Sequence, residues 1–110
     1  MANNKLPEFL WVSKEVAKYK DIFQDPTTLG VGIHYFIING GCDFDTLFDG
    51  KEMQSIRLNI EGVNSISHKP VLNEIKEAAD LFQVDYSAIL KGVFSYLYEN
   101  RKTFSIAEIE

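Results

Sequence analysis

Cysteine is almost absent from this chain: Cys42 stands alone among 110 residues. A single thiol excludes an intramolecular disulfide framework and points to a reducing, intracellular setting. Imidazole is nearly as scarce, with His34 and His68 the only histidines, and together with Cys42 they are too few to close a structural zinc site within one chain. A Cys-His nucleophilic pair has no supporting motif. Gly30-Val31-Gly32 lacks the third glycine and the preceding strand of a phosphate-cradling loop. The expectation is a non-enzymatic protein with no cofactor, no metal and no small-molecule substrate.

Long apolar runs are missing too. No segment approaches the 18 or so residues of a membrane span, and the start, MANNKLPEFLWV, lacks a basic leader ahead of a signal-peptide core. The expected location is the cytoplasm, away from the membrane. Cations are outnumbered: eleven Lys and Arg against sixteen Asp and Glu give a net charge of -5. The imbalance is spread over both halves, 6 minus 9 in residues 1 to 62 and 5 minus 7 in residues 63 to 110. This balance argues against a large nucleic-acid footprint, which needs clustered cations to displace counterions, but leaves room for a small basic patch.

What is present is apolar material and an internal echo. At 45% hydrophobic, 110 residues bury one ordinary core, so the chain is expected to be a single domain over 1-110. The stretch EVAKYKDIFQDPTTLGVGIHYFIIN, from Glu15, is similar to EIKEAADLFQVDYSAILKGVFSYLYEN, from Glu74. With small gaps, Phe23-Gln24 aligns with Phe82-Gln83, Asp25 with Asp85, Leu29 with Leu90, Tyr35 with Tyr96 and Asn39 with Asn100. A repeat lets each copy be interpreted from the other.

The second copy reads as two helices. Leu72, Ile75, Ala79 and Phe82 recur at helical spacing after Pro70, and Asp85 or Ser87 can cap a second helix with Ile89, Leu90, Val93, Phe94 and Leu97 along one stripe. In the first copy, Leu29 to Ile38 is rich in strand-forming residues and holds two glycines. The repeat turns the balance to helix: Asp25 as cap, Pro26 at the first helical position, and Asn39-Gly40-Gly41 as a left-handed stop.

Between the copies, Ser55 to Glu61 alternates Ile56, Leu58 and Ile60 with polar residues, a strand bounded by Asp49-Gly50 and Glu61-Gly62. Its partner could be Phe9 to Val12, Val63 to Ser67, the tail Thr103 to Ile109, or the same strand of a second chain. The last option makes 55-61 the expected site of self-association into a homodimer. Cys42 to Gly50 is acidic but not a calcium loop, because Phe48 stands where the sharp turn needs Gly and Gln54 where a bidentate Glu is required. A loop with Asp45 capping a short turn fits better, with Phe44 and Phe48 returning to the core. The aromatic share, 13%, is generous. The aromatics include Tyr86, Tyr96 and Tyr98 near the last helix and Phe9 and Trp11 near the start; most are expected in the core, and any surplus would form a protein-binding patch.

From Ser55 through Tyr98 the order strand, helix, tight turn, helix resembles the ribbon-helix-helix family of bacterial and phage regulators, most closely over Val84-Asp85-Tyr86-Ser87-Ala88-Ile89-Leu90-Lys91. The resemblance implies that two chains pair their strands into a ribbon read into the major groove by Ser55, Arg57 and Asn59, with Lys91 as the family's basic residue; Arg and Asn are apt for guanine and adenine. Gly62 to Lys69 makes the link longer than that pattern. Moving the strand to Val63 to Ser67 repairs the spacing and makes Asn64, Ser65 and Ser67 the readers. A helix-turn-helix alternative would present Tyr86, Ser87 and Lys91, or Thr27, Thr28 and His34.

The expected architecture is mainly α with a minor β element: two pseudo-repeated helical hairpins (14-39 and 70-101), an acidic loop and strand (42-67), and a tail (102-110). The leading functional expectation is sequence-specific DNA binding in regulation. Its competitor is an acidic protein-interaction module, an adaptor or inhibitor of phage or plasmid type, meeting a basic partner through Asp43, Asp45, Asp49 and Tyr86.

Overall fold

A computed structural model describes residues 5-60 and 70-109. Within them the chain is mainly helical with one small antiparallel sheet, in the order β1 (Phe9–Ser13), α1 (Lys14–Ala17), α2 (Lys20–Phe23), α3 (Pro26–Ile38), β2 (Met53–Arg57), α4 (Val71–Phe82) and α5 (Tyr86–Glu99). None of the helices is long and apolar enough to cross a membrane.

The strand ahead of α4 finds a partner inside its own chain. β1 and β2 pair antiparallel with Phe9 opposite Arg57, Leu10 opposite Ile56, Trp11 opposite Ser55, Val12 opposite Gln54 and Ser13 opposite Met53. The strand expected over 55-61 is therefore displaced toward the N-terminus. Asn59 lies beyond its end, and Ile60 is buried without being part of it. Leu10, Val12 and Ile56 supply the inward face and join the core. Glu61, the alternative strand Val63 to Ser67 with its readers Asn64, Ser65 and Ser67, and His68 fall outside the described residues.

One side chain closes the far edge of β2. Gln24 is buried, and its carboxamide donates from Nε2 to the Arg57 carbonyl at 3.3 Å while its Oε1 accepts from the Asn59 N–H at 2.6 Å. The Leu58 N–H in between points the other way and donates to Glu8 O at 2.9 Å. Alternate residues of a strand present their polar groups to opposite edges, so Gln24 satisfies one carbonyl and one N–H as a neighbouring strand would.

The expected hairpin over 14-39 differs in its first arm. The helix breaks at Lys18-Tyr19, giving two single turns, and Tyr19 leaves helical dihedrals (φ -101°, ψ 12°) while its buried ring stacks on Phe23 at 5.2 Å. The second arm follows the residue logic closely. Asp25 Oδ2 accepts from the Thr28 N–H at 3.2 Å, Pro26 opens the helix, and Gly40 (φ 83°) ends it with Gly41 N–H bonded to Phe36 O at 2.9 Å. In α5, Asp85 Oδ1 accepts from Ala88 N–H at 2.9 Å, and Pro70 caps α4 from outside rather than occupying its first turn. Asn39 and Asn100 each donate Nδ2 to the carbonyl four residues back, Tyr35 and Tyr96, both at 2.8 Å. The aligned Asp and Asn pairs thus hold equivalent bonds.

α3 and α5 cross over glycine recesses. A Cβ at position 32 would come within 2.9 Å of the Leu97 side chain, and one at position 92 within 2.8 Å of the Phe36 ring. Phe23, Leu29, Ile33, Phe36, Ile75, Ile89, Leu90, Val93, Phe94 and Leu97 make the centre of the core, each worth about 1.5–3 kcal/mol by burial. The tail folds back over it. Glu108 accepts from Arg101 Nε at 3.0 Å and from the Tyr19 hydroxyl at 2.9 Å, and that hydroxyl accepts from Ile109 N–H at 3.0 Å. Arg101 lies over Tyr98, its Cζ 3.8 Å from the ring centroid.

Candidate functional site

Strand alternation decides what the hairpin shows to solvent. With Leu10 and Val12 turned inward, Phe9 and Trp11 must turn outward, and they do so at 51% and 56% exposure. Cross-strand pairing sets Arg57 opposite Phe9 and Ser55 opposite Trp11, and Met53, 38% exposed, completes the same face. The Arg57 guanidinium sits 5.8 Å from the Phe9 ring centroid, a cation-π arrangement. The outer face of β1–β2 is thus a continuous strip of aromatic, thioether and guanidinium surface. Exposed large apolar groups clustered in this way make the face a candidate site.

An ion pair closes each end of the strip. Arg57 Nη2 meets Glu8 Oε1 at 3.3 Å at one end, and Lys14 Nζ meets Glu52 Oε2 at 2.8 Å at the other. The hydrogen bond and charge of Lys14 hold the Glu52 carboxyl below the usual carboxylate range, and Glu52 in return raises Lys14. These pairs are exposed and worth little in stability. Their main effect is to neutralise the strip's own cations. Beside Arg57 a cleft of about 300 Å³ opens between Leu6-Pro7-Glu8 and the run from Arg57 to Ile60.

The acidic turn leads straight into β2. Asp43, Asp45 and Asp49 are exposed, and two successive turns hold them together, Thr46 N–H to Asp43 O at 3.3 Å and Asp49 N–H to Thr46 O at 3.2 Å. The cap is Asp43 rather than Asp45: its Oδ1 accepts from the Asp45 N–H at 3.1 Å. Phe44 and Phe48 pack against the core as expected. Partial burial and the neighbouring Asp43 carboxylate push the Cys42 thiol up, which makes it a poor nucleophile at neutral pH. Among the described residues no three His, Cys, Asp or Glu side chains gather closely enough to hold a metal ion.

Of the residues expected to read DNA, Ser55 and Arg57 lie on the outer face. Asn59 does not belong to that row, since the strand ends before it and its backbone N–H is engaged by Gln24. Lys91 is half-buried on α5, a separate element. Among the expected partner-binding residues, the three aspartates are exposed, but Tyr86 is only 5% exposed and part of the core. As the first residue of α5 it turns its ring inward while Asp85 supplies the cap.

Phe9, Trp11 and Met53 were not anticipated as surface residues. The available signal was Phe9 to Val12, four apolar residues in succession on a short strand, which is apolar on both faces. No family model, no curated protein and no solved structure matches the chain.

Proposed function

We propose that this chain is a non-enzymatic protein-interaction module whose binding face is the outer surface of the β1–β2 hairpin. The observation that carries the reading is the side-by-side exposure of Phe9, Trp11 and Met53 around Arg57. Trp, Phe, Met and Arg are the residues that interface centres favour, and Trp and Arg dominate binding hot spots. A lone thiol, Cys42, suits a reducing cytoplasmic setting.

The DNA reading has one observation in its favour: Ser55 and Arg57 stand outward on an antiparallel two-stranded ribbon, a shape that fits a major groove. Charge weighs against it. Arg57 and Lys14, the cations of the strip, each already face a carboxylate, and a protein of net charge -5 gains little from counterion release.

Trp11 is the only tryptophan, so its fluorescence reports directly on this face. Titration with duplex DNA at low salt is expected to leave the emission unchanged. Partners captured from nuclease-treated host lysate should be lost with Trp11→Ala and kept with Leu81→Ala, a change at an exposed apolar residue of α4. Salt-sensitive DNA binding abolished by Arg57→Ala would restore the ribbon reading. An unchanged captured set with Trp11→Ala would remove the hairpin face from consideration.

A further inference from the structure

We infer that the occupant of the hairpin face is a short basic segment of another protein, anchored by apolar side chains on Phe9, Trp11 and Met53 and steered by Asp43, Asp45 and Asp49. This rests on the hairpin face being the binding surface. Three observations select the occupant: area, charge and placement.

Area comes first. An aromatic side chain offers about 150–250 Å², so the exposed halves of Phe9 and Trp11 present roughly 200 Å² between them, and Met53 adds less than about 100 Å². A stable globular partner, including a second copy of this chain, needs about 800 Å² per side. A short linear segment needs only a few anchoring contacts, which the strip supplies.

Charge comes second. Two copies at -5 each repel, and so does a polyanion such as DNA. Residues 42 to 52 hold Asp43, Asp45, Asp49 and Glu52 against one cation, Lys51. Glu52 is engaged by Lys14, but the three aspartates make no ion pair among the described residues. A ligand bearing Lys or Arg finds carboxylates whose charge the protein itself leaves uncompensated.

Placement joins the two. Asp49 is four residues before Met53, so chain length alone keeps it within about 14 Å of the strip, and the double turn carries Asp43 and Asp45 with it. The acidic group therefore lies toward the end of the face where Met53 pairs with Ser13. At the other end Arg57 is already answered by Glu8. The basic part of the segment should rest over the Met53 end and its apolar anchors over Trp11 and Phe9.

The test follows Trp11 emission during titration with three synthetic peptides of about 12 residues, roughly 40 Å when extended. They share an apolar Leu-Phe centre and carry flanking Lys, Ser or Glu; a duplex DNA and the protein's own dilution series complete the set. The Lys peptide is expected to give a saturable shift, weakening about tenfold between 50 and 500 mM salt as three exposed charge contacts are screened. The combined Asp43→Asn, Asp45→Asn and Asp49→Asn variant should bind it about tenfold more weakly at low salt and lose the salt dependence. Equal binding of the Lys and Ser peptides, with the triple variant unchanged, overturns the basic segment and leaves the hairpin face standing. A response to the Glu peptide or to DNA, or a concentration-dependent dimer dissociated by Trp11→Ala, replaces the proposed occupant. No response to any probe or to dilution overturns the hairpin face itself.

Discussion

Replacing Gly92 by alanine tests the idea that α3 and α5 can pack only because each offers the other a bare backbone. Two opposed effects set the result. Alanine inside a helix is favoured over glycine by about 1 kcal/mol. Against this, the new methyl would lie 2.8 Å from Phe36 Cζ and 3.1 Å from Phe44 Cε1, well inside ordinary contact. Phe36 cannot swing aside readily, because it is fully buried and hemmed in by Phe44, Phe82 and Tyr96 at centroid distances of 6.0, 5.5 and 6.2 Å. Overpacking of this kind costs about 1–3 kcal/mol, and crowding against two rings belongs in the upper part of that range. The net expectation is a loss of about 1–2 kcal/mol, or roughly 4–16 °C in melting temperature for a domain of this size. Urea and thermal unfolding followed by circular dichroism would measure it, and Phe36→Leu in the same background should recover part of the loss through coupling between neighbours. A Gly92→Ala protein as stable as the parent, or more so, would refute the reasoning, because the helices would then be free to separate.

Three further outcomes follow from the geometry. Gln24→Ala leaves the Arg57 carbonyl and the Asn59 N–H without their partner and is expected to lower stability by about 1–3 kcal/mol, read from the urea midpoint. Gln83 ends α4 at φ 56°, a conformation that costs a non-glycine residue about 1 kcal/mol, so Gln83→Gly should raise the melting temperature despite losing the side-chain bond to Asp80 O; a fall would contradict this. Hydrogen bonds from Arg101 and then Tyr19 hold the Glu108 carboxyl below the usual Glu range. A depressed folded value means that the tail's attachment is complete above the ordinary Glu value and is lost as pH falls through the lowered one. Hydrogen exchange at the Ile109 amide should therefore lose protection in that acidic window, and Glu108→Gln should flatten the response.

How much of this was legible beforehand depended on how local the physics was. The frame of α3 could be read from Asp25, Pro26 and Asn39-Gly40-Gly41, because capping and left-handed stops are decided by a few neighbouring residues. The stripe Ile89, Leu90, Val93, Phe94 and Leu97 was equally plain, and all five are fully buried. The partner of β2 was not decidable: four segments satisfied the same local demand, and only three-dimensional packing chose Phe9 to Ser13. Large aromatics such as Trp11 mostly go inward, and in a strand apolar on both faces the pattern does not say which face is wet. Tyr86 admitted both readings, core aromatic and partner-binding residue, and it is buried. A tyrosine at a helix start reads as amphipathic surface, yet position rather than residue type turns it into the core.

The role of Gln24 lay outside any local rule, since it bonds to residues 33 and 35 positions away. A bare strand edge is a template on which foreign chains can assemble, and proteins guard against it with charges, bulges or a covering element. Here the guard is a single amide carried on the turn between two helices. Any third strand approaching the Arg57 end of β2 must first evict that amide and then compete with a group already held in place by its own chain. The ribbon is thereby limited to two strands at that end.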